Sequence, residues 1–151
     1  MEATGRDAMA EMRRILGVLR DDGGEVALAP QPSLAALTGL VEASTDLPVE
    51  VHLDGDLESL PPGVEVSAFR IVQEALTNVR RHARATKVRL QLATGPREIV
   101  LEVEDDGIGF DPSVERLNRH GLAGIAHRVQ MLAGRLDIAS RPGHGTRIEA
   151  R

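Results

Sequence analysis

Glu74 and Asn78 stand four residues apart within Arg70-Ile71-Val72-Gln73-Glu74-Ala75-Leu76-Thr77-Asn78-Val79-Arg80-Arg81-His82-Ala83. In a helix that spacing puts a carboxylate and a carboxamide on one face. Arg81 lies three residues beyond Asn78 and His82 four, so the same stripe carries a basic group. A hard cation such as Mg2+ takes oxygen ligands, and Asn78 offers a neutral one. Arg81 or His82 could then meet phosphate oxygens. Taken alone, such a stripe is more often the solvated side of an amphipathic helix.

Three further clusters follow. Glu104-Asp105-Asp106-Gly107-Ile108-Gly109-Phe110 leaves an alternating apolar segment with acids and two spaced glycines. Glycines let a ligand approach the backbone and permit positive φ. A carboxylate at a strand end can accept a hydrogen bond from an exocyclic amine such as that of adenine. The plainer reading is an Asp-Gly turn, which the second glycine and Phe110 weaken. His120-Gly121-Leu122-Ala123-Gly124 opens a helical pattern. Free N–H groups at a helix start bind anions, although a helix can begin on glycine with no ligand. Gly143-His144-Gly145-Thr146 precedes the last apolar alternation. It is either a hairpin turn or a device that brings the Thr146 hydroxyl beside a base or a bound water.

The elements that must position these clusters are legible from periodicity. Ala8, Met12, Ile15 and Leu19 repeat in steps of four, three and four, a coiled-coil seam over 5–20 that needs a partner helix. Asp21-Asp22-Gly23-Gly24 stops it. Ser33 is the expected N-cap of a helix over 34–44 with Leu34, Leu37 and Val41 on one face. Val49, Val51 and Leu53 alternate with Glu50 and His52 as a half-buried strand. A long helix is expected over 64–83, burying Ala68, Ile71, Val72, Ala75, Leu76 and Val79. Val88, Leu90 and Leu92 then pair with Ile99, Leu101 and Val103 across the hairpin Thr94-Gly95-Pro96-Arg97. A loop over 105–120, a helix over 121–133 and strands over 135–139 and 146–150 complete the chain. This order implies an α/β (α+β) two-layer sandwich, a mixed sheet with helices on one face.

Composition removes several functions. A chain of 151 residues with 42% hydrophobic content suits one domain with a short appendage. Net charge is -5 and Phe69 and Phe110 are the only aromatics. Neither an electrostatic grip on nucleic acid nor base stacking is available. There is no cysteine, so thiolate metal sites and disulfides are excluded. No apolar run approaches the ~20 residues of a membrane span. The expectation is a soluble cytoplasmic domain, whose parent a membrane could still anchor.

The order and spacing of the four clusters resemble the N box, the two glycine boxes and the final Gly-x-Gly-Thr of the GHKL (Bergerat) ATP-binding fold, shared by histidine kinases, gyrase-type ATPases, HSP90 and MutL. Phe69–Ala83, Glu104–Phe110 and Gly121–Leu136 carry the boxes. The match is closest to sensor histidine kinases that partner NarL-type response regulators. Ala10–Arg20 resembles the end of the second helix of their dimerisation bundle. The resemblance implies residues 1–22 as that helix and 30–151 as the ATP-binding catalytic domain.

It further implies ATP and Mg2+, with Asn78 on the metal and Glu74 beside it. Asp105 would accept the adenine amine, and Gly107 and Gly109 would shape its pocket. Arg81 and His82 would face phosphates. His120, Gly121, Leu122 and Gly124 would line the phosphate side, with Thr146 near the adenine. A short lid would run over 111–120. Val79 stands where alanine is usual, and His127 where the family is often acidic. The implied partners are the protein's own dimerisation and phosphoacceptor domain, a second copy in a homodimer, and a NarL-type regulator. None of the five histidines, His52, His82, His120, His127 and His144, precedes an acid in the acceptor motif. The expectation is therefore a chain that binds nucleotide without phosphorylating itself. A GHKL ATPase or an anti-sigma-type serine kinase is the alternative, against which the heptad helix and the short lid speak.

Overall fold

The computed structural model describes residues 32–44, 46–114 and 120–151, with His120 described in its backbone only. The seam over 5–20, and with it residues 1–22, lies outside the described residues, as do residues 115–119 of the lid. Residues 31–151 form one compact unit.

Helix α1 spans Ala36–Glu42 and strand β1 Val49–Asp54. Helix α2 spans Pro62–Asn78 and runs into a π-helical turn, Val79–Ala83. Strands β2 (Val88–Thr94) and β3 (Ile99–Asp105) form the expected hairpin. Helix α3 covers His120–Met131, and β4 (Leu136–Ser140) and β5 (Thr146–Ala150) close the chain. The sheet order is β1-β2-β3-β5-β4. Only β1 and β2 run parallel, and α2 makes the crossover that a parallel pair requires. The architecture is the expected two-layer α/β fold with a mixed sheet.

Strand register explains where the core ends and the site begins. Side chains alternate between sheet faces, so facing partners form rows. On the helix side one row is Val51, Leu90, Val103, Ile148 and Ile138, and the next is Leu53, Leu92, Leu101, Ala150 and Leu136. Leu90 and Leu92 are fully buried in these rows. At the other end of the sheet the row reads Val49, Val88, Asp105, Thr146 and Ser140. The helix-facing surface thus turns polar over β3, β5 and β4. The opposite face carries Glu50, Arg89, Glu104 and Arg147 in one row of alternating charge.

Over this sheet α2 buries Ala68, Phe69, Ile71, Val72, Ala75 and Leu76, and α3 packs beside it through Ile125 and Val129. Pro62 opens α2, where its missing N–H would be unpaired in any residue.

Three local expectations need correction. Ser33 caps nothing: α1 begins at Ala36 with no side-chain cap, and Glu65 instead accepts the Leu34 N–H at 2.8 Å. A tertiary contact has replaced the local one. The long helix does not stay α-helical to Ala83. Its last turn widens to π form and ends at Arg84, left-handed with φ 50°. The Ala83 carbonyl there accepts the Ile108 N–H at 2.7 Å, so the glycine-rich loop claims the helix end. Strand β1 is more exposed than expected, with Val51 at 37% and Leu53 at 50%, because it lies at the sheet edge. Among the described residues no helix is long and apolar enough to cross a membrane.

Candidate functional site

A cleft lies between the polar end of the sheet and the helices. Asn78, Val79, His82 and Ala83 enter it from α2 and its π turn, and Leu122 from α3. Val103 and Asp105 come from β3, Gly109 and Phe110 from the loop after it, and Thr146 and Ile148 from β5. Apolar walls with two or three polar groups suit a flat heteroaromatic ring.

Asp105 is 7% exposed. Its carboxylate accepts the Gly107 N–H at 2.8 Å. Burial pushes its pKa up, against hydrogen bonds from the Gly107 and Thr146 backbone that pull it down; Asp106 and Glu104 add smaller repulsions. Its neighbour behaves oppositely. Asp106 points to the outer side, where its carboxylate accepts from the Thr86 hydroxyl, the Thr86 N–H at 2.8 Å and the Lys87 N–H at 3.0 Å. The Thr86 hydroxyl first, and the Lys87 N–H after it, lower Asp106 to about 2. One aspartate, the last residue of β3, thus faces a ligand cleft, and the next, just past the strand end, anchors a loop.

The glycines mark where backbones meet. A Cβ on Gly107 would overlap the Ala83 carbonyl, and one on Gly109 (φ +59°) the Arg141 carbonyl. Gly121 matters more for chemistry. A Cβ there would lie 2.5 Å from Asn78 Oδ1, 2.7 Å from Asn78 Nδ2 and 2.8 Å from Glu74 Oε1. The first turn of α3 therefore rests on the two polar side chains of α2, an approach that only glycine permits. Asn78 Nδ2 is buried with no hydrogen-bond partner. An unpaired buried amide costs roughly 1–3 kcal/mol. A phosphate oxygen or a metal-bound water would relieve that cost while Oδ1 takes a metal, so the residues present fit a Mg-nucleotide.

Six sequence-predicted site residues line this one cleft: Asn78, His82, Asp105, Gly109, Leu122 and Thr146. Glu74 and Gly121 adjoin Asn78, and Gly107 backs Asp105. Arg81 is exposed and does not line the cleft. Gly124 is exposed with open space above its Cα. His120 starts α3, and its side chain lies outside the described residues. Sequence reasoning missed the apolar walls, Ala75, Val103 and Ile148, because they read as ordinary core. It also missed Ser140, whose hydroxyl lies 2.9 Å from that of Thr146; only the strand pairing reveals that contact.

Comparison with known proteins agrees with this fold. Residues 63–151 match the family model for the histidine kinase-, DNA gyrase B-, and HSP90-like ATPase. The chain is 35% identical over 147 residues, 95% of its length, to the histidine-protein kinase/phosphatase DegS of Brevibacillus brevis. It is 34% identical over 152 residues, 100% of its length, to the sensor histidine kinase LiaS of Bacillus subtilis. It spans only 37% and 41% of those proteins. The blue-light activated histidine kinase of Erythrobacter litoralis superposes with a TM-score of 0.64 at 25% identity, over 78% of this chain and 41% of that one. The chain belongs to the histidine kinase-, DNA gyrase B- and HSP90-like ATPase family.

Proposed function

We propose that this domain holds Mg-ATP for phosphoryl transfer to a histidine of its own parent protein, and from there to an aspartate of a NarL-type response regulator. Asp105 accepts the adenine amine, Gly107 and Gly109 shape the purine pocket by letting the backbones behind it close up, and Thr146 flanks the ring. Asn78 gives its oxygen to Mg2+, with Glu74 next to the metal or its water. Arg81 and His82 face phosphates from the end of α2. His120, Gly121 and Leu122 present the first turn of α3, whose free N–H groups and dipole favour anions, and Gly124, one turn on, leaves open space that we assign to phosphate. The metal supplies charge neutralisation, and the residues named supply position.

Residues 1–22 are read as the end of the second dimerisation helix, so the parent acts as a homodimer on the cytoplasmic side. The acceptor histidine belongs to the first helix of that bundle. The observation that carries this reading is one cleft holding both the buried Asp105 carboxylate and the unpaired Asn78 amide.

Calorimetric titration of the chain with Mg-ATP and Mg-ADP tests the binding. Incubation with a separately made acceptor domain tests the reaction: acid-labile phosphohistidine is expected. Steady release of phosphate without it would favour an ATPase instead.

A further inference from the structure

Ser140, at the end of β4, has one hydroxyl and three neighbours. The Phe110 N–H donates to it at 2.9 Å, its oxygen lies 3.0 Å from the Gly145 carbonyl, and Thr146 Oγ1 lies 2.9 Å away. A carbonyl oxygen cannot donate, so the single Ser140 proton goes to Gly145. One lone pair takes the Phe110 N–H. The other is left for Thr146, whose own hydroxyl proton must therefore point at Ser140. Thr146 lines the cleft beside Asp105, and with its proton spent it offers only lone pairs there.

We infer that Ser140 is a positioning residue for base selection. It fixes the polarity of the Thr146 hydroxyl, so that the cleft presents two acceptors, Asp105 and Thr146, to position 6 of a purine. Two acceptors welcome an amino group and repel a carbonyl oxygen. The inference rests on the reading that Asp105 takes the base. Ser140 also ties the loop after β3 to the turn before β5, through Phe110 and Gly145. A purely structural role of that kind would weaken all nucleotides alike.

The test compares Mg-ATP with Mg-inosine triphosphate, which carries a carbonyl oxygen where ATP carries the amine. Ser140→Ala frees the Thr146 proton to donate to that oxygen. The preference for ATP should shrink by about threefold to tenfold, the size expected for one hydrogen bond. Ser140→Thr, which keeps the hydroxyl, should retain the wild-type preference. In a Thr146→Val background, Ser140→Ala should leave the preference unaltered, because the hydroxyl it acts through is gone. Should Ser140→Ala fail to fold, Ser140→Cys carries the same test, since a thiol is a weak donor and a weak acceptor. Equal weakening of both nucleotides, or no change in either, overturns the inference. Asp105→Asn is run in parallel. If it leaves ATP affinity intact, the reading of Asp105 has failed; if it abolishes the preference while Ser140→Ala keeps it, only the role of Ser140 has failed.

Discussion

Asp105 and Asp106 are the same side chain in consecutive positions with opposite electrostatics. Burial raises one and hydrogen bonds lower the other. For Asp105 the consequence is a stability cost that ligand binding can recover. Below about pH 3.8 the carboxyl is protonated in both the folded and unfolded chain and contributes nothing. Above that, the unfolded chain releases a proton that the folded chain retains, so stability falls until the folded group also ionises. Asp105→Asn should remove this fall, visible in the melting midpoint of the nucleotide-free protein followed upward from pH 4. The same substitution should weaken Mg-ATP binding by roughly 10- to 100-fold, as loss of a charged hydrogen bond in a buried site does. Asp106 works in the other direction. Its stabilisation is present above the ordinary carboxylate value of 3.8 and disappears as pH falls toward about 2. Asp106→Asn should therefore lower the urea midpoint at pH 7 and match the wild type near pH 2.

At the scale of elements, the decisive contact is between the start of α3 and the face of α2 that carries Glu74 and Asn78. Gly121 and Gly124 occupy neighbouring turns of α3 but differ in what surrounds them. A methyl at 121 would press on Asn78 and Glu74, whereas nothing lies within 4 Å of one at 124. Gly121→Ala should push α3 off α2 and abolish nucleotide binding. Gly124→Ala should raise the melting temperature of the free domain, since alanine in a helix interior is better than glycine by roughly 0.5–1 kcal/mol. It should weaken ATP binding at the same time, because the open space above Gly124 is what we assign to phosphate. Calorimetry and melting curves on both variants separate the two effects. The π turn at the end of α2 belongs to the same logic: it brings the Ala83 carbonyl onto the loop after β3 and His82 to the cleft. Widened turns of this kind concentrate at functional sites.

For the whole molecule, the cleft joins parts of the chain that are far apart in sequence: α2, the end of β3, the start of α3 and the turn before β5. A ligand that binds only this assembled form must stabilise the entire fold. At a concentration 100 times its Kd, Mg-ATP should add about 2.7 kcal/mol to stability. The gain should be seen as a rise in melting temperature, and it should shrink to about 0.4–1.4 kcal/mol in Asp105→Asn at the same concentration. If Mg-ATP at millimolar levels leaves the wild-type melting curve unmoved, nucleotide binding by this domain is refuted.

Local chemistry was enough to read most of this in the residues alone. The spacing of Glu74 and Asn78 follows from the helical repeat, the β2–β3 hairpin from alternation around Thr94-Gly95-Pro96-Arg97, and the buried face of α2 from its apolar period. These depend on neighbours within a few positions, and periodicity reports such neighbours faithfully. Other features required the chain to be folded. The exposure of β1 depends on its place at the sheet edge, and the π turn on a carbonyl claimed by a loop 25 residues later. The replacement of the Ser33 cap depends on Glu65, and the role of Ser140 on a strand register that sets it opposite Thr146. Each is a contact between distant segments, whose energy exists only once the backbone has closed on itself.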